Sequence, residues 1–366
     1  MADARAHAEA PVSVHQRASR LVGIDALAAH PDRLDVRSPS EFAEDHLPGA
    51  INTPVLDDAE RARVGTLHKE AGAFEASKIG AAIVARHIAA ILDAVARDKP
   101  RGWAPLVCCW RGGKRSGSLV HVLNEIGFHA VQLDGGYRTW RRHVVARLAA
   151  LPATFRYRVV CGLTGSGKSR LLAALAAEGA NVLDLEALAR HRGSLLGDLP
   201  GEPQPSQKAF ETAIHEAYAA FDPRRPVWVE SESRKVGAVQ VPDALLAAMR
   251  ASPCVRVDLD TGARVALLED EYAHFVADPA ALIARLAHLK ALVGQATLDR
   301  WAELANLGAI DGLVADLLET HYDPTYSRGM TRNYAGFAAA ERVAPDGIAM
   351  PAWRALAREL IASEAR

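Results

Sequence analysis

A cysteine and three basic residues surround two glycines in the segment Cys109-Trp110-Arg111-Gly112-Gly113-Lys114-Arg115-Ser116. The pattern predicts a buried strand that ends at the cysteine, then a tight loop, then a helix. Backbone N–H groups of such a loop, with the helix N-terminus, favour an anion in the concavity. The neighbouring cations favour the thiolate, nucleophilic form of the cysteine at neutral pH. We therefore predict Cys109, Arg111 and Arg115 as catalytic residues and Gly112, Gly113, Lys114 and Ser116 as anion-binding residues.

The spacing from Cys109 to Arg115 fits two chemistries: a carrier of persulfide or selenide, and a cysteine phosphatase whose loop holds a phosphate. The adjacent Cys108 alternates with Cys109 along the strand and should point the other way. We therefore expect Cys108 to be a small buried hydrophobic residue without a chemical role.

A second segment matches G-x-x-x-x-G-K-[ST] without a mismatch and lies between a predicted strand and a predicted helix. Its amides should hold a diphosphate, its lysine should reach the terminal phosphate, and Ser169 could hold Mg²⁺, with Asp184 as another candidate ligand. The motif does not identify a nucleotide, because any diphosphate ester would satisfy these groups. The predicted diphosphate-binding residues are Gly162, Leu163, Thr164, Gly165, Ser166, Gly167, Lys168 and Ser169.

Two domains are expected from the length of 366 residues, one over 15–148 and one over 153–366. Hydrophobic residues make up 49% and charged residues 24% of the chain, which excludes wholesale disorder. The four cysteines form no C-x-x-C pair, so neither a disulfide framework nor a structural zinc site is expected. No apolar run approaches the roughly 20 residues of a membrane span, and the first residues lack a secretory leader pattern. We expect a cytoplasmic protein with no membrane partner.

Strand and helix patterns alternate along most of the chain, which predicts an α/β protein with parallel sheets. In the first half strands are expected over 33–36, 105–110 and 130–133, and helices over 79–95 and 119–126. In the second half strands are expected over 155–161, 181–183, 226–230 and 255–259, with a helix from Ser169. From Thr261 onward the pattern is almost entirely helical.

The first half resembles rhodanese domains. The segment Asp35–Phe42 followed by His46–Asn52 is similar to the N-terminal signature of these domains, and Leu133–Tyr137 with Trp140 is similar to their closing motif. The order of these segments around a loop cysteine carries the resemblance. We expect Asp35 and Arg37 to be structural. The fold class expected is a rhodanese-like parallel-sheet domain followed by a P-loop NTPase-like α/β domain with a helical C-terminal segment.

The combination of the two loops resembles the tRNA 2-selenouridine synthase family. Further segments that carry this resemblance are Val64–Leu67 with Lys69, Asp184–Glu186 with His191–Ser194, Gln204–Gln207 with Phe210-Glu211, Glu230–Arg234, and Tyr322–Pro324 with Tyr326. One departure is His68, where a tyrosine would be expected.

The resemblance implies that selenium replaces sulfur at C2 of 2-thiouridine in the wobble position of tRNA. It implies selenophosphate as selenium donor and geranyl diphosphate as a second co-substrate, with S-geranyl-2-thiouridine as intermediate, and no tightly bound cofactor. Two roles are open for Cys109, either carrying selenium covalently or activating the donor. The net charge of the chain is −1, so tRNA must be bound by a local patch of basic residues rather than by the overall charge. The candidate residues are Arg138, Trp140, Arg141 and Arg142.

Two rival interpretations remain. One is a rhodanese-type sulfurtransferase fused to an ATP-dependent kinase or activating domain. The other is a phosphate-sensing module that binds partners without catalysis, although the reactive setting of Cys109 argues against an inert module.

Overall fold

A computed structural model describes residues 21–364, which form two compact units that divide between Arg141 and Arg142. The expected domain ranges of 15–148 and 153–366 stay a prediction, and residues 15–20 and 365–366 lie outside the described residues. Each unit is built on its own parallel sheet, so the predicted fold class is confirmed.

The sheet of the first unit has five parallel strands in the order β1-β5-β4-β2-β3. The strands are β1 (Leu21–Val22), β2 (Arg33–Asp35), β3 (Ala50–Asn52), β4 (Leu106–Cys108) and β5 (Val131–Leu133). The helices are α1 (Pro39–Glu44), α2 (Asp58–Glu70), α3 (Ala73–Ile91), α4 (Lys114–Ile126) and α5 (Tyr137–Ala150), the last of which crosses the division between the units. Leu34 and Val107 of the sheet pack with Leu119 and Leu123 of α4 in the core.

Helix α3 continues as a π-helical turn over Leu92–Ala96. By length and composition alone, this Ala73–Ala96 helix is apolar enough to cross a membrane. The expectation that no apolar run approaches such a length was therefore wrong. The charged residues Arg86 and Asp93 interrupt the apolar sequence of this helix, but two charges lower the mean hydropathy of the whole helix only slightly.

The sheet of the second unit also has five parallel strands, in the order β12-β11-β6-β8-β7, and a short antiparallel ribbon joins β9 to β10. The strands are β6 (Tyr157–Cys161), β7 (Asn181–Leu183), β8 (Val227–Glu230), β9 (Lys235–Val236), β10 (Val239–Gln240), β11 (Pro253–Val257) and β12 (Gly336–Val343). The helices around this sheet are α6 (Lys168–Ala177), α7 (Leu185–Ala189), α8 (Gln207–Ala220), α9 (Asp243–Arg250) and α10 (Thr261–Glu271).

The remaining helices are α11 (Ala273–Ala277), α12 (Pro279–Leu286), α13 (Lys290–Val293), α14 (Gln295–Asn306), α15 (Ile310–Leu317), α16 (Asp323–Asn333) and α17 (Met350–Ser363). A π-helical turn over Leu318–Tyr322 joins α15 to α16. Helices α12, α14 and α15 form an apolar core of their own around Leu286, Trp301 and Leu313, all fully buried. Helix α17 instead packs against α6 and the sheet through Trp353 and Leu360.

Strand β12 interrupts the C-terminal segment, which the sequence pattern predicted as almost entirely helical. Its sequence, GFAAAERV, contains three alanines, a glutamate and an arginine, all residues that favour helices. It nevertheless pairs with β11 at the edge of the sheet, from Pro253↔Gly336 to Val257↔Val343. Tertiary pairing therefore overrides the local helical preference of this segment.

Candidate active sites

Cys109 lies directly after β4, at the carboxyl end of a central strand of the first sheet. Its Sγ atom accepts hydrogen bonds from the Gly113 backbone N–H at 3.3 Å and from the Ser116 hydroxyl at 3.0 Å. Only 3% of the residue is exposed. These two donors hold the sulfur atom in one position inside the loop.

The loop after Cys109 is packed closely against the turn that follows β5. Gly112 has a φ of 65°, and a Cβ atom there would lie 2.7 Å from the Leu133 carbonyl oxygen. Gly136 also has a positive φ, of 60°, and a Cβ atom there would collide with the Cys109 carbonyl oxygen. The Tyr137 N–H donates to that same carbonyl at 2.8 Å. The cysteine loop and the Leu133–Tyr137 segment therefore pack as one unit of structure. Any larger residue in place of Gly112 or Gly136 would strain the backbone and clash with the facing segment.

The three cations of the loop lie in different surroundings. Arg111 is exposed. The Lys114 ammonium donates to the Ser77 hydroxyl at 3.2 Å, and Arg115 forms an ion pair with Glu41 at 2.7 Å. Burial would raise the pKa of Glu41, but the hydrogen bond and charge of Arg115 outweigh burial and lower it. Part of the charge of Arg115 is therefore already balanced, whereas Arg111 is open to solvent.

The neighbouring groups in the sheet are structural. Arg37 and Asp35 are fully buried and paired at 2.6 Å, and the Arg37 guanidinium lies 4.0 Å from the centre of the Tyr137 ring. The Tyr137 hydroxyl donates to the Asp45 carboxylate at 2.7 Å. Burial first, and then the nearby Asp35 charge, raises the pKa of the fully buried Cys108 thiol well above its usual value. Cys108 is thus an unreactive core residue.

The predicted diphosphate loop runs from Gly162 to Gly167 between β6 and α6, as the motif requires. Gly165 has a φ of 74°, and a Cβ atom there would lie 2.8 Å from the Leu268 side chain. The Lys168 ammonium curls back to the carbonyl oxygens of Gly162 and Leu163, at 3.3 Å each. The hydroxyls of Thr164 and Ser166 are buried with no hydrogen-bond partner among the described residues. Polar groups in this state are suited to receive the oxygen atoms of an anion.

Four carboxyl groups surround the loop: Asp184, Glu186, Glu230 and Glu232. Burial raises the pKa of all four carboxyl groups. For Glu232, burial and the negative charge of Glu186 together raise the pKa to about 8. The Ser169 hydroxyl donates to Glu186 at 3.1 Å, and one oxygen of Asp184 caps α7 by accepting from the Ala187 N–H at 2.8 Å. No group of three or more histidine, cysteine or acidic side chains is arranged to hold a metal within residues 21–364. Ser169 and Asp184 are therefore engaged with protein groups.

Cations and aromatic rings that the motif does not contain complete the walls of this pocket. Arg192 lines it beside Lys168 and Ser169, and its guanidinium lies 4.7 Å from the Tyr272 ring centre. Lys168 lies 5.8 Å from the ring centre of Tyr326. Two pairs of a basic side chain and an aromatic ring, Arg192 with Tyr272 and Lys168 with Tyr326, therefore line the pocket.

An apolar pocket adjoins the diphosphate pocket and shares Thr164, Ser194, Leu268 and Tyr272 with it. Its other walls come from Leu196, which lies between α7 and α8, and from residues of α10 to α12 and of α15 with the turn that follows: Glu269, Phe275, Val276, Leu282, Ile310, Leu313, Val314, Leu317, Leu318 and Tyr322. Arg264 ties this wall to the loop, because it donates to the Thr164 carbonyl at 2.9 Å and pairs with Asp323 at 2.6 Å. The predicted diphosphate loop thus lies next to a space lined mostly by apolar side chains.

Comparison with known proteins agrees with this architecture. The family model for rhodanese-like domains matches residues 24–143, and the model for the AAA domain of tRNA 2-selenouridine synthase matches residues 155–283. A tRNA 2-selenouridine synthase from Cupriavidus necator is 34% identical over 336 residues, which cover 80% of this chain and 87% of the relative. The chain belongs to the tRNA 2-selenouridine synthase family.

Further relatives of this family member agree. A tRNA 2-selenouridine synthase from Nitrosomonas europaea is 36% identical over 263 residues, which cover 69% of this chain and 67% of the relative. Among solved structures, a rhodanese-related protein from Thermoplasma volcanium is 20% identical, with a TM-score of 0.22, and the match covers 34% of this chain and 92% of that one. The resemblance stated from the sequence is confirmed by the curated relatives.

In this family member the predicted tRNA-binding residues lie along the first part of α5. Arg138 and Arg142 are exposed and Arg141 is half-buried. Trp140 is only 3% exposed, and Tyr137 only 1%. Helical spacing turns Trp140 toward the core, so its burial does not support its predicted role in binding tRNA.

Several residues around the predicted diphosphate loop were not predicted as site residues, among them Arg192, Arg264 and Tyr326. Arg192 and Tyr326 do lie within segments that carried the family resemblance, and this was the signal available in the sequence. Arg264 follows no motif, and only the folded chain shows its contact with Thr164.

Proposed function

We propose that the protein replaces sulfur by selenium at C2 of wobble 2-thiouridine in tRNA, with selenophosphate as donor, through an S-geranyl intermediate made from geranyl diphosphate. In this proposal it is a cytoplasmic enzyme with two activities, a tRNA geranyltransferase and a selenium transferase. Membership of the tRNA 2-selenouridine synthase family supports the overall activity.

The observation that carries the geranyl diphosphate proposal is the apolar pocket beside the diphosphate loop. A nucleotide would place a ribose and a polar base next to its phosphates. The space next to Thr164 and Leu268 is instead lined by aliphatic and aromatic side chains, which suit a prenyl chain. This arrangement favours a prenyl diphosphate over ATP.

The apolar pocket is narrow, with about 50 Å³ of free space. A ten-carbon chain therefore needs the side chains of α10, α12 and α15 to move apart as it enters. The apolar area that the chain and the pocket bury together offsets the cost of this opening. We expect the helical segment to open and close with each turnover.

In the first step the sulfur of 2-thiouridine attacks C1 of the geranyl group, the C1–O bond breaks, diphosphate leaves, and N3 of the base loses its proton. The loop amides, Lys168 and Arg192 surround the position of the diphosphate, where negative charge increases as it departs. Mg²⁺, if bound, would take one oxygen ligand from Ser169 and others from the diphosphate and water, and would neutralise part of that charge.

In the second step selenium of selenophosphate forms a bond to C2 and the C2–S bond breaks, so that geranyl thiolate leaves; water then releases phosphate from selenium. An alkylated sulfur is a better leaving group than a bare thiocarbonyl. The Cys109 loop suits the tetrahedral anion, because Arg111 is exposed there and the Gly113 N–H and the Ser116 hydroxyl hold the Cys109 sulfur inside the same loop. The exposed Arg138 and Arg142 would contact tRNA phosphates.

The test is mass spectrometry of 2-thiouridine-containing tRNA incubated with the protein and geranyl diphosphate, without and then with selenophosphate. We expect S-geranyl-2-thiouridine in the first reaction and 2-selenouridine in the second. Unchanged tRNA together with tRNA-stimulated ATP hydrolysis would instead support the sulfurtransferase fused to a kinase domain.

A further inference from the structure

A second apolar groove lies in the first unit, between α3 and α4, with α2 along one side. It offers about 720 Å³ of space and is therefore far roomier than the pocket beside the diphosphate loop. Its floor is formed by half-buried or buried aliphatic residues, among them Val64, Val84, Ile88 and Val122. No acidic residue is among the described residues that line it.

The groove exists because α3 presents small residues along one row. Ala81, Ala85 and Ala89 follow one another at intervals of four residues, so they share a face of the helix. All three are exposed and line the groove, in a helix whose apolar window is only 28% buried. Larger side chains in these positions would fill the space.

One end of the groove reaches the cysteine loop. Lys114, Arg115 and Ser118 line the groove from the first turns of α4. Ser116, in the same turn of helix, donates to the Cys109 sulfur at 3.0 Å. The Lys114 side chain crosses toward α3 and donates to Ser77, another lining residue, at 3.2 Å. The groove thus ends at the first turns of α4, the same part of the helix from which Ser116 holds the Cys109 sulfur.

We propose that this groove binds the geranyl chain of S-geranylated tRNA during selenium transfer, an inference that rests on the proposed function. The occupant follows from the chemistry of the groove. Its aliphatic walls suit a hydrocarbon chain, and the exposed Lys114 at the rim complements the phosphates of the tRNA that carries the chain. In this proposal C2 of the base lies at Cys109, and the chain attached at sulfur extends from there into the groove.

The test uses the full-length variant Ala85→Trp, which fills the groove from an exposed position, and Ala82→Trp as matched control. Ala82 is also exposed on α3 but does not line the groove. Selenium transfer is measured on two presynthesised tRNAs, one with S-geranyl-2-thiouridine and one with S-methyl-2-thiouridine, whose alkyl group is too short to need the groove. Thermal unfolding checks that both variants fold.

We expect Ala85→Trp to lower kcat/KM for S-geranyl tRNA about tenfold or more, given the apolar area of a ten-carbon chain, and to leave S-methyl tRNA within about twofold. Ala82→Trp should change neither. If Ala85→Trp lowered kcat/KM for both tRNAs by the same factor, or lowered it for neither, the assignment of the groove would be overturned. A wild-type protein that fails to convert S-geranyl tRNA would instead contradict the proposed function itself, so the two failures are distinguishable.

Discussion

The Ser116 hydroxyl lies 3.0 Å from the Cys109 sulfur and donates a hydrogen bond to it from the first turn of α4. Ser116 is fully buried, so water does not compete for this contact. Helix α4, which follows the cysteine loop, therefore also fixes the position of the Cys109 sulfur. The neighbouring Cys108 has no such donors and lies in the core beside Asp35.

We predict that Cys109→Ala abolishes formation of 2-selenouridine, because the variant lacks the sulfur atom at the loop. Cys108→Ala should retain the activity and lower the free energy of unfolding by about 1 kcal/mol, as for a small core truncation. Selenouridine content of tRNA and thermal unfolding are the two measurements. Full selenium incorporation by Cys109→Ala would contradict the catalytic assignment.

Alkylation offers a second check on the same residue. At neutral pH, Cys109 should react with iodoacetamide faster than Cys108 and Cys161, which are fully buried and whose thiol pKa values are raised, and anions that enter the loop, such as phosphate, should slow the reaction. Peptide mass spectrometry identifies the modified residue. Labelling of Cys108 or Cys161 before Cys109 would contradict the predicted reactivity.

Both loops were predictable from the sequence because each is a local structure. Gly112 and the 162–167 segment carry conformations that few residues other than glycine adopt, and each loop joins a strand to the helix that follows it. A short segment of sequence therefore contains nearly all the information that determines such a loop. The same holds for Asp35 and Arg37, which were expected to be structural and are buried as a pair.

The rest of the site depends on contacts between distant segments. The apolar pocket combines Leu268 with Leu282 and Leu313, whose apolar spacing predicted helices but not their shared space. The contact of Arg264 with Thr164 joins residues 100 positions apart. Strand β12 was missed for a related reason, since its pairing with β11 outweighs its helical composition.

The raised pKa of Glu232, about 8, makes the stability of the protein depend on pH. Below about pH 4.5 the carboxyl group is protonated in both the folded and the unfolded chain; between that value and about 8 only the folded chain keeps the proton. Stability should therefore fall as the pH rises through this interval. We predict that Glu232→Gln loses less of its thermal stability between pH 5 and 8.5 than the wild type, whereas Glu319→Gln, at an exposed site, follows the wild type. Parallel curves for wild type and Glu232→Gln would contradict the prediction.

The length of the apolar pocket should determine the length of the prenyl chain. Asp323 pairs with Arg264, and Tyr326 lies beside Lys168, so both residues mark the end of the pocket next to the diphosphate loop. Ile310 marks the far end, because it precedes Tyr322 by roughly three turns of helix. Ile310→Ala should therefore enlarge the far end and raise the rate with farnesyl diphosphate relative to geranyl diphosphate. Competition between the two donors, read by mass spectrometry of the tRNA, measures the ratio. Leu292→Ala, at an exposed site outside the pocket, is the control, and an unchanged ratio in Ile310→Ala would contradict this view of the pocket.

Lys168→Ala should separate the two proposed activities. The variant lacks the ammonium that would meet the terminal phosphate, which costs on the order of 2–4 kcal/mol of transition-state stabilisation. Geranylation of 2-thiouridine should then nearly stop. Selenium transfer to tRNA that is already geranylated should continue, because the cysteine loop belongs to the other unit. The experiment supplies S-geranylated tRNA and selenophosphate to the variant and measures 2-selenouridine, with Lys208→Ala, on α8 and outside the phosphate pocket, as the control. If the Lys168 variant remains folded and binds tRNA but forms no selenouridine, the proposed division of labour between the two units is wrong.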